Sequence, residues 1–138
     1  MSKAYTELYY HVVWSTWKRY PFLTTDIQES VYRYIAHKCK DYEYHCFGIN
    51  GIEDHIHIVL RLDPTIAIAT AVQKLKGSSS HFINHELNLE SQFKWQEGYG
   101  ALTFGKRNLS SVVSYVRDQK QRHAENRLDT MLENCGEG

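Results

Sequence analysis

Tyr5 to Trp14 reads Tyr-Thr-Glu-Leu-Tyr-Tyr-His-Val-Val-Trp, a concentration of aromatic and β-branched residues that suits a pleated, half-buried surface and predicts a first strand. After the Tyr20-Pro21 break, Thr24 and Thr25 offer caps to a helix whose apolar stripe is Ile27, Val31, Tyr34, Ile35 and Cys39, at the three-and-four spacing of one helical face. Tyr44 to Asn50 and His55 to Leu62 read as two strands joined by a short turn of Gly51, Ile52, Glu53 and Asp54, which suits an antiparallel hairpin closed by Asp63-Pro64. From Ile66 to Leu87, the residues Ile68, Ala71, Val72, Leu75, Phe82 and Ile83 recur at helical spacing, and Gly77-Ser78-Ser79-Ser80 is expected to bend or locally unwind that helix. Trp95 to Phe104, with Gly98 and Gly100 inside it, reads as an irregular strand or two short ones. Asn108 or Ser110 can cap a final helix carrying Val112, Val113, Val116 and, further on, Leu128.

The resulting order, β-α-β-β-α-β with an added C-terminal helix, is the split βαβ arrangement of an α+β fold, ferredoxin-like or RRM-like. Two helices then cover one face of a four-stranded antiparallel sheet, and the other face is expected to stand open for a ligand. At 138 residues the chain predicts a single domain over 1–138, its last ten or so residues forming a loose acidic tail.

Charge changes the picture only locally. Sixteen Lys plus Arg balance sixteen Asp plus Glu, which excludes a polycation that coats DNA or anionic membranes. Residues 61–127, however, carry ten basic and six acidic side chains, whereas Asp129, Glu133 and Glu137 follow with no base. A basic middle leaves room for a phosphate-binding surface. No apolar run is long enough for a membrane span, and the opening Met-Ser-Lys-Ala-Tyr-Thr-Glu is unlike a signal peptide, so a cytoplasmic protein is expected. Cys39, Cys46 and Cys135 lack paired metal-site spacing and read as reduced thiols without assigned chemistry.

Two constellations carry candidate chemistry. In a strand, His55 and His57 project to one face while Ile56 and Ile58 point the other way into the core, so both imidazoles can share a metal edge. Taken alone, His-x-His is also what a half-exposed strand shows by alternation. Asp54, just before it, is a turn residue or an acceptor that fixes a histidine tautomer. On the last helix Tyr115, Gln119 and His123 stand at i, i+4 and i+8 on one face, among Arg117, Lys120 and Arg122. The tyrosine alone would read as a core aromatic, and the three cations as a solvated face; together they describe a surface that meets an anion. Two imidazoles and the Gln119 amide oxygen would hold a divalent cation of the Mg²⁺ or Mn²⁺ kind, beside which the Tyr115 hydroxyl could attack a phosphodiester.

The chain resembles the HUH-type single-tyrosine transposases of small insertion sequences, the IS-two-hundred-like family, which includes the REP-associated tyrosine transposases. The resemblance rests on Tyr10-His11-Val12-Val13-Trp14-Ser15-Thr16, Asp54-His55-Ile56-His57-Ile58-Val59, Leu75-Lys76-Gly77-Ser78-Ser79, Trp95-Gln96-Glu97-Gly98-Tyr99-Gly100-Ala101 and Tyr115-Val116-Arg117-Asp118-Gln119 with His123, in that order. It implies that His55, His57 and Gln119 hold the metal and that Tyr115 becomes 5′-phosphotyrosine-linked to single-stranded DNA, leaving a 3′-hydroxyl whose re-attack rejoins the strand. It further implies recognition of hairpins at element ends by a homodimer, with an active site that can be shared between subunits. Lys76, Gly77 and Ser78 would approach the DNA backbone, or else serve packing and the bend of their helix. The competing readings are a domesticated, non-mobilising REP-hairpin nuclease, a non-catalytic single-strand-binding module that stacks bases on its sheet, and a histidine-triad nucleotide hydrolase, whose third histidine is replaced here by Val59.

Overall fold

A computed structural model describes residues 4–87 and 89–136. Four strands, β1 (Tyr9–Ser15), β2 (His45–Ile52), β3 (His55–Arg61) and β4 (Gly100–Phe104), form one antiparallel sheet in the order β2-β3-β1-β4. Helices α1 (Thr25–Asp41) and α2 (Ile68–Glu86) follow β1 and β3, which gives the split βαβ order. After β4 come α3 (Leu109–Arg117) and α4 (Gln119–Ala124).

Strand alternation divides the sheet chemically. Val12 pairs with Ile58 and Trp14 with Ile56, and these residues meet Val31, Ile35 and Cys39 of α1 and Val72, Leu75 and Ile83 of α2 in the main core. Trp14 stands edge-on to Trp95, whose indole N–H donates to Ser79 Oγ at 3.0 Å. Thr16 bridges to Trp95 outside the named strands, so the 95–104 segment is a single bridge followed by β4. Asn84 clamps the backbone of Phe93 through both its amide groups, at 2.7 and 3.0 Å, and fixes the long return to β4.

Several expectations are corrected. The second face of the sheet is not open: α3 and α4 pack over β2 and β3, and Asn50 of β2 donates to the Arg117 carbonyl at 2.7 Å and accepts from Lys120 at 2.7 Å. Helix α2 runs unbroken through Gly77-Ser78-Ser79-Ser80, where each serine hydroxyl finds its acceptor within the helix, at a carbonyl three residues back, rather than in a turn. The last helix, by contrast, breaks at Asp118 (φ −93°, ψ 17°) and ends at Ala124, so Leu128 lies beyond it and is exposed. The β2–β3 turn is the pair Glu53-Asp54, since Gly51 and Ile52 still belong to the ladder. Within the stretch that reads as a loose acidic tail, Cys135 is buried, Glu133 is largely enclosed and the Asn134 carbonyl lies close against Gly100, while Asp129, Thr130 and Met131 are exposed. Glu137 falls outside the described residues. Among the described residues no helix is long and apolar enough to cross a membrane.

Candidate metal centre and nucleophile

On the face turned away from the main core, β1 and β3 are as dry as the core, but polar side chains stand there among the apolar ones. His55 and His57 are 1% and 0% exposed, and their cross-strand partners are Ser15 and Val13. A buried imidazole needs its ring nitrogens satisfied. Nδ1 of His55 meets Asp54 Oδ1 at 2.7 Å, and Nδ1 of His57 meets Nε2 of His11 at 2.8 Å. Asp54 is therefore both a turn residue and the acceptor that orients His55, with Arg19 Nη1 3.6 Å from the same carboxylate. The outer nitrogens, Nε2 of both histidines, are buried without a hydrogen bond of ordinary geometry. Paired imidazoles with tied Nδ1 atoms and unsatisfied Nε2 atoms facing one point fit a divalent cation.

Helices α3 and α4 bring Tyr115, Gln119 and His123 to that point despite the break at Asp118. Tyr115 is 5% exposed and its ring centroid lies 6.0 Å from that of His57. The His123 ring lies 4.8 Å from that of His55, and its Nε2 is 3.0 Å from Gln119 Oε1. The nucleophile candidate thus sits against the histidines of its own chain, whereas the resemblance allows a site shared between subunits. Arg122 lies over the Tyr115 ring with its guanidinium carbon 4.5 Å from the centroid.

One participant was not foreseen. Glu133, from the segment after α4, places Oε1 3.2 Å from His55 Nε2, 3.3 Å from His57 Nε2 and 3.3 Å from His123 Nε2. Its Oε2 accepts a hydrogen bond from the Tyr115 hydroxyl, which in turn accepts from the backbone N–H of Asp129 at 2.9 Å. His55, His57, His123 and Glu133 form a group whose ligand atoms all lie within 4.8 Å of one another. No spacing rule links Glu133 to the His-x-His strand, so only the fold reveals it.

The electrostatics follow from this packing. Burial disfavours the Glu133 anion, but its contacts with His55 and His57 outweigh that and hold the carboxyl well below the usual range. Burial would lower His55, yet Asp54 and Glu133 raise it above its ordinary value, whereas for His57 burial wins and its pKa falls. Burial and the Glu133 hydrogen bond push Tyr115 up to about 12, so its phenol is protonated at neutral pH.

The remaining predicted residues are less central. Lys76 spends its ammonium on the carbonyls of Gln96 and Gly98, at 2.6 and 3.0 Å, and so anchors that loop. Lys76 and Gly77 nevertheless line a groove of about 950 Å³ with Trp17, Lys94 and Tyr99; Ser78 is turned to the Leu75 carbonyl instead. Lys120 is committed to Asn50 and the Gly51 carbonyl, and Arg117 is exposed.

A transposase of Deinococcus radiodurans, ISDra2 TnpA, is 24% identical over 129 residues, covering 84% of this chain and 86% of the relative. A crystal structure at 1.90 Å resolution of a Deinococcus radiodurans R1 protein, described as a transposase, superposes with a TM-score of 0.69 at 19% identity, covering 86% of this chain and 95% of that one. A REP-associated tyrosine transposase bound to a REP hairpin superposes with a TM-score of 0.65 at 13% identity, covering 89% and 73%. Residues 4–119 match the family model of IS200-like transposases, and the chain belongs to that family.

Proposed function

We propose that this chain cleaves and rejoins single-stranded DNA through Tyr115, in a single catalytic domain that recognises hairpins at element ends. The observation that carries the reading is the convergence of the unsatisfied Nε2 atoms of His55 and His57 beside the Tyr115 ring. His55 and His57, with Gln119 within one helical turn of Tyr115, would hold Mg²⁺ or Mn²⁺. When bound, such an ion neutralises charge on the scissile phosphate and makes phosphorus easier to attack.

The protein's own residues supply the rest. Attack forms the bond from Tyr115 Oη to phosphorus and breaks the bond from phosphorus to O3′; the phenol gives up its proton and the departing 3′ oxygen takes one, so no net proton is consumed. A phenol raised to about 12 is a weak nucleophile, so the attacking oxygen needs positive charge nearby, and Arg122 lies over the ring. Reversal by a 3′-hydroxyl needs no external energy source, because the phosphotyrosine keeps the energy of the phosphodiester. A transposase fold solved with a REP hairpin supports hairpin DNA as the substrate class, and the groove that contains Lys94 and Trp17 offers charge and an aromatic face to it.

The test is a covalent adduct. Purified protein is incubated with single-stranded oligonucleotides from both flanks of its own gene plus Mg²⁺ or Mn²⁺, then resolved in detergent. A metal-dependent adduct is expected for the wild type and none for Tyr115→Phe, whose fold is checked by thermal melting. An adduct that survives in Tyr115→Phe would remove Tyr115 from the nucleophile's role.

A further inference from the structure

We propose that Glu133 is itself a ligand of the metal centre, a carboxylate donor supplied by the segment that follows α4 and added to the imidazoles of His55 and His57. This deepens the reading under Proposed function and rests on it.

The argument begins with spacing. Donors on one ion with bonds of roughly 2.0–2.2 Å stand roughly 3.0–3.5 Å apart, in octahedral or tetrahedral arrangement. Glu133 Oε1 stands 3.2 and 3.3 Å from the Nε2 atoms of His55 and His57. Those two Nε2 atoms are the ones left without a hydrogen bond of ordinary geometry, and their Nδ1 atoms are already held by Asp54 and His11, so Nε2 is the nitrogen each ring can turn to an ion. Oε1 therefore occupies the position a third donor would take.

Placement of the carboxylate is built in rather than incidental. The Glu133 side chain is 15% exposed, and its segment is held by Asp129, whose N–H reaches Tyr115, and by Arg19, whose Nη2 donates to Cys135 Sγ at 3.5 Å. A buried carboxylate is stable only against positive charge. Gln119, in contrast, directs Oε1 at His123 and its amide nitrogen at Glu133 Oε2, at 3.0 and 3.4 Å, so its amide braces two members of the cluster. A two-imidazole, one-carboxylate set carries a negative charge that an amide lacks, and favours Mn²⁺ and other first-row transition ions over Mg²⁺. The second carboxylate oxygen meanwhile holds the Tyr115 hydroxyl, which couples the nucleophile to the metal through a single side chain.

Calorimetric titration of the full chain with Mn²⁺, and the visible spectrum of the Co²⁺-loaded protein, test this. Glu133→Gln is expected to weaken Mn²⁺ binding roughly tenfold or more and to change the Co²⁺ spectrum, while Glu125→Gln, in an exposed ion pair with Arg127, changes neither. Glu133→Asp, which keeps the charge on a shorter arm, is expected to bind Mn²⁺ with intermediate affinity and serves where the glutamine variant folds poorly. Unchanged Mn²⁺ affinity and an unchanged Co²⁺ spectrum in folded Glu133→Gln would overturn the proposal; faster adduct formation in that variant would then mark the carboxylate as an occupant of the phosphate's place. Failure of the underlying reading looks different, since His57→Gln would then leave Mn²⁺ binding intact.

Discussion

The two faces of the sheet are equally buried and stabilised differently. On β3, Ile56, Ile58 and Leu60 point under α1 and α2, while His55, His57 and Val59 point under α3, α4 and the segment 129–136, and all six residues are at most 1% exposed. The first set needs only shape, because dispersion and water exclusion are non-directional. In the second set the two imidazoles need a partner at each ring nitrogen; Asp54 and His11 hold the Nδ1 atoms, while Glu133 stands near the Nε2 atoms without a hydrogen bond of ordinary geometry. Burial therefore does not separate core from site in this fold. The completeness of hydrogen bonding does, and it fails at the two Nε2 atoms where chemistry is proposed.

Adjacent residues give the strongest test of that difference. His57→Gln keeps the volume of the site face and removes an imidazole; its expected effect is complete loss of the metal-dependent DNA adduct with a melting curve close to wild type. Ile56→Ala, one position away, opens a cavity against Trp14 and is expected to cost about 2–5 kcal/mol of stability, with adduct formation retained below its lowered melting temperature. Thermal denaturation and a detergent-resistant adduct gel, run on both variants, separate the two. If both variants lost stability and adduct in proportion, the two faces would be one cooperative core and the distinction would be wrong.

The site face also depends on a close backbone approach. A Cβ at Gly100 would lie 1.7 Å from the Asn134 carbonyl oxygen and 3.1 Å from Val13 Cγ1, so Gly100→Ala must push the 129–136 segment outward. The expected cost is about 1–3 kcal/mol, together with weaker Mn²⁺ binding, because Glu133 rides on the displaced segment. Titration and melting of one preparation check both effects, and a variant that lost stability but bound Mn²⁺ as tightly as wild type would detach the segment from the metal centre.

Much of this architecture was legible in the chain. The aromatic and β-branched run of β1, the alternation in β3, the apolar stripes of α1 and α2, and the i, i+4, i+8 placement of Tyr115, Gln119 and His123 are short-range patterns, and short-range patterns survive in sequence. The covered second face was not legible, because α3 and α4 are short and their packing onto β2 is set by Asn50, Arg117 and Lys120, residues that look solvated when read singly. Glu133 was hidden for a related reason: it enters from 76 positions beyond His57 on a segment whose composition resembles a free tail. The break at Asp118 is masked because no Gly or Pro marks it, and the Gly-Ser-Ser-Ser run of α2 reads as a bend because propensity takes no account of the serine-to-carbonyl hydrogen bonds that the fold makes there.

That last residue run yields the smallest effect and the sharpest contrast with the site face. Gly77 lies within unbroken α2, and a Cβ there would meet nothing within 4 Å. A glycine in a helix interior that neither turns nor yields room to a neighbour gives up backbone entropy without a structural return. Gly77→Ala is therefore expected to raise stability by about 0.5–1 kcal/mol, read as a higher denaturation midpoint with an unchanged denaturant slope. The same variant interrogates the groove that Gly77 lines, since a methyl group there would obstruct a DNA backbone in contact with the helix. A stabilised protein whose affinity for a hairpin oligonucleotide is unchanged places Gly77 among residues that matter to neither face. A stabilised protein that binds the hairpin less well would show that the glycine is kept for close approach of DNA, at a cost in helix stability that the fold otherwise has no reason to bear.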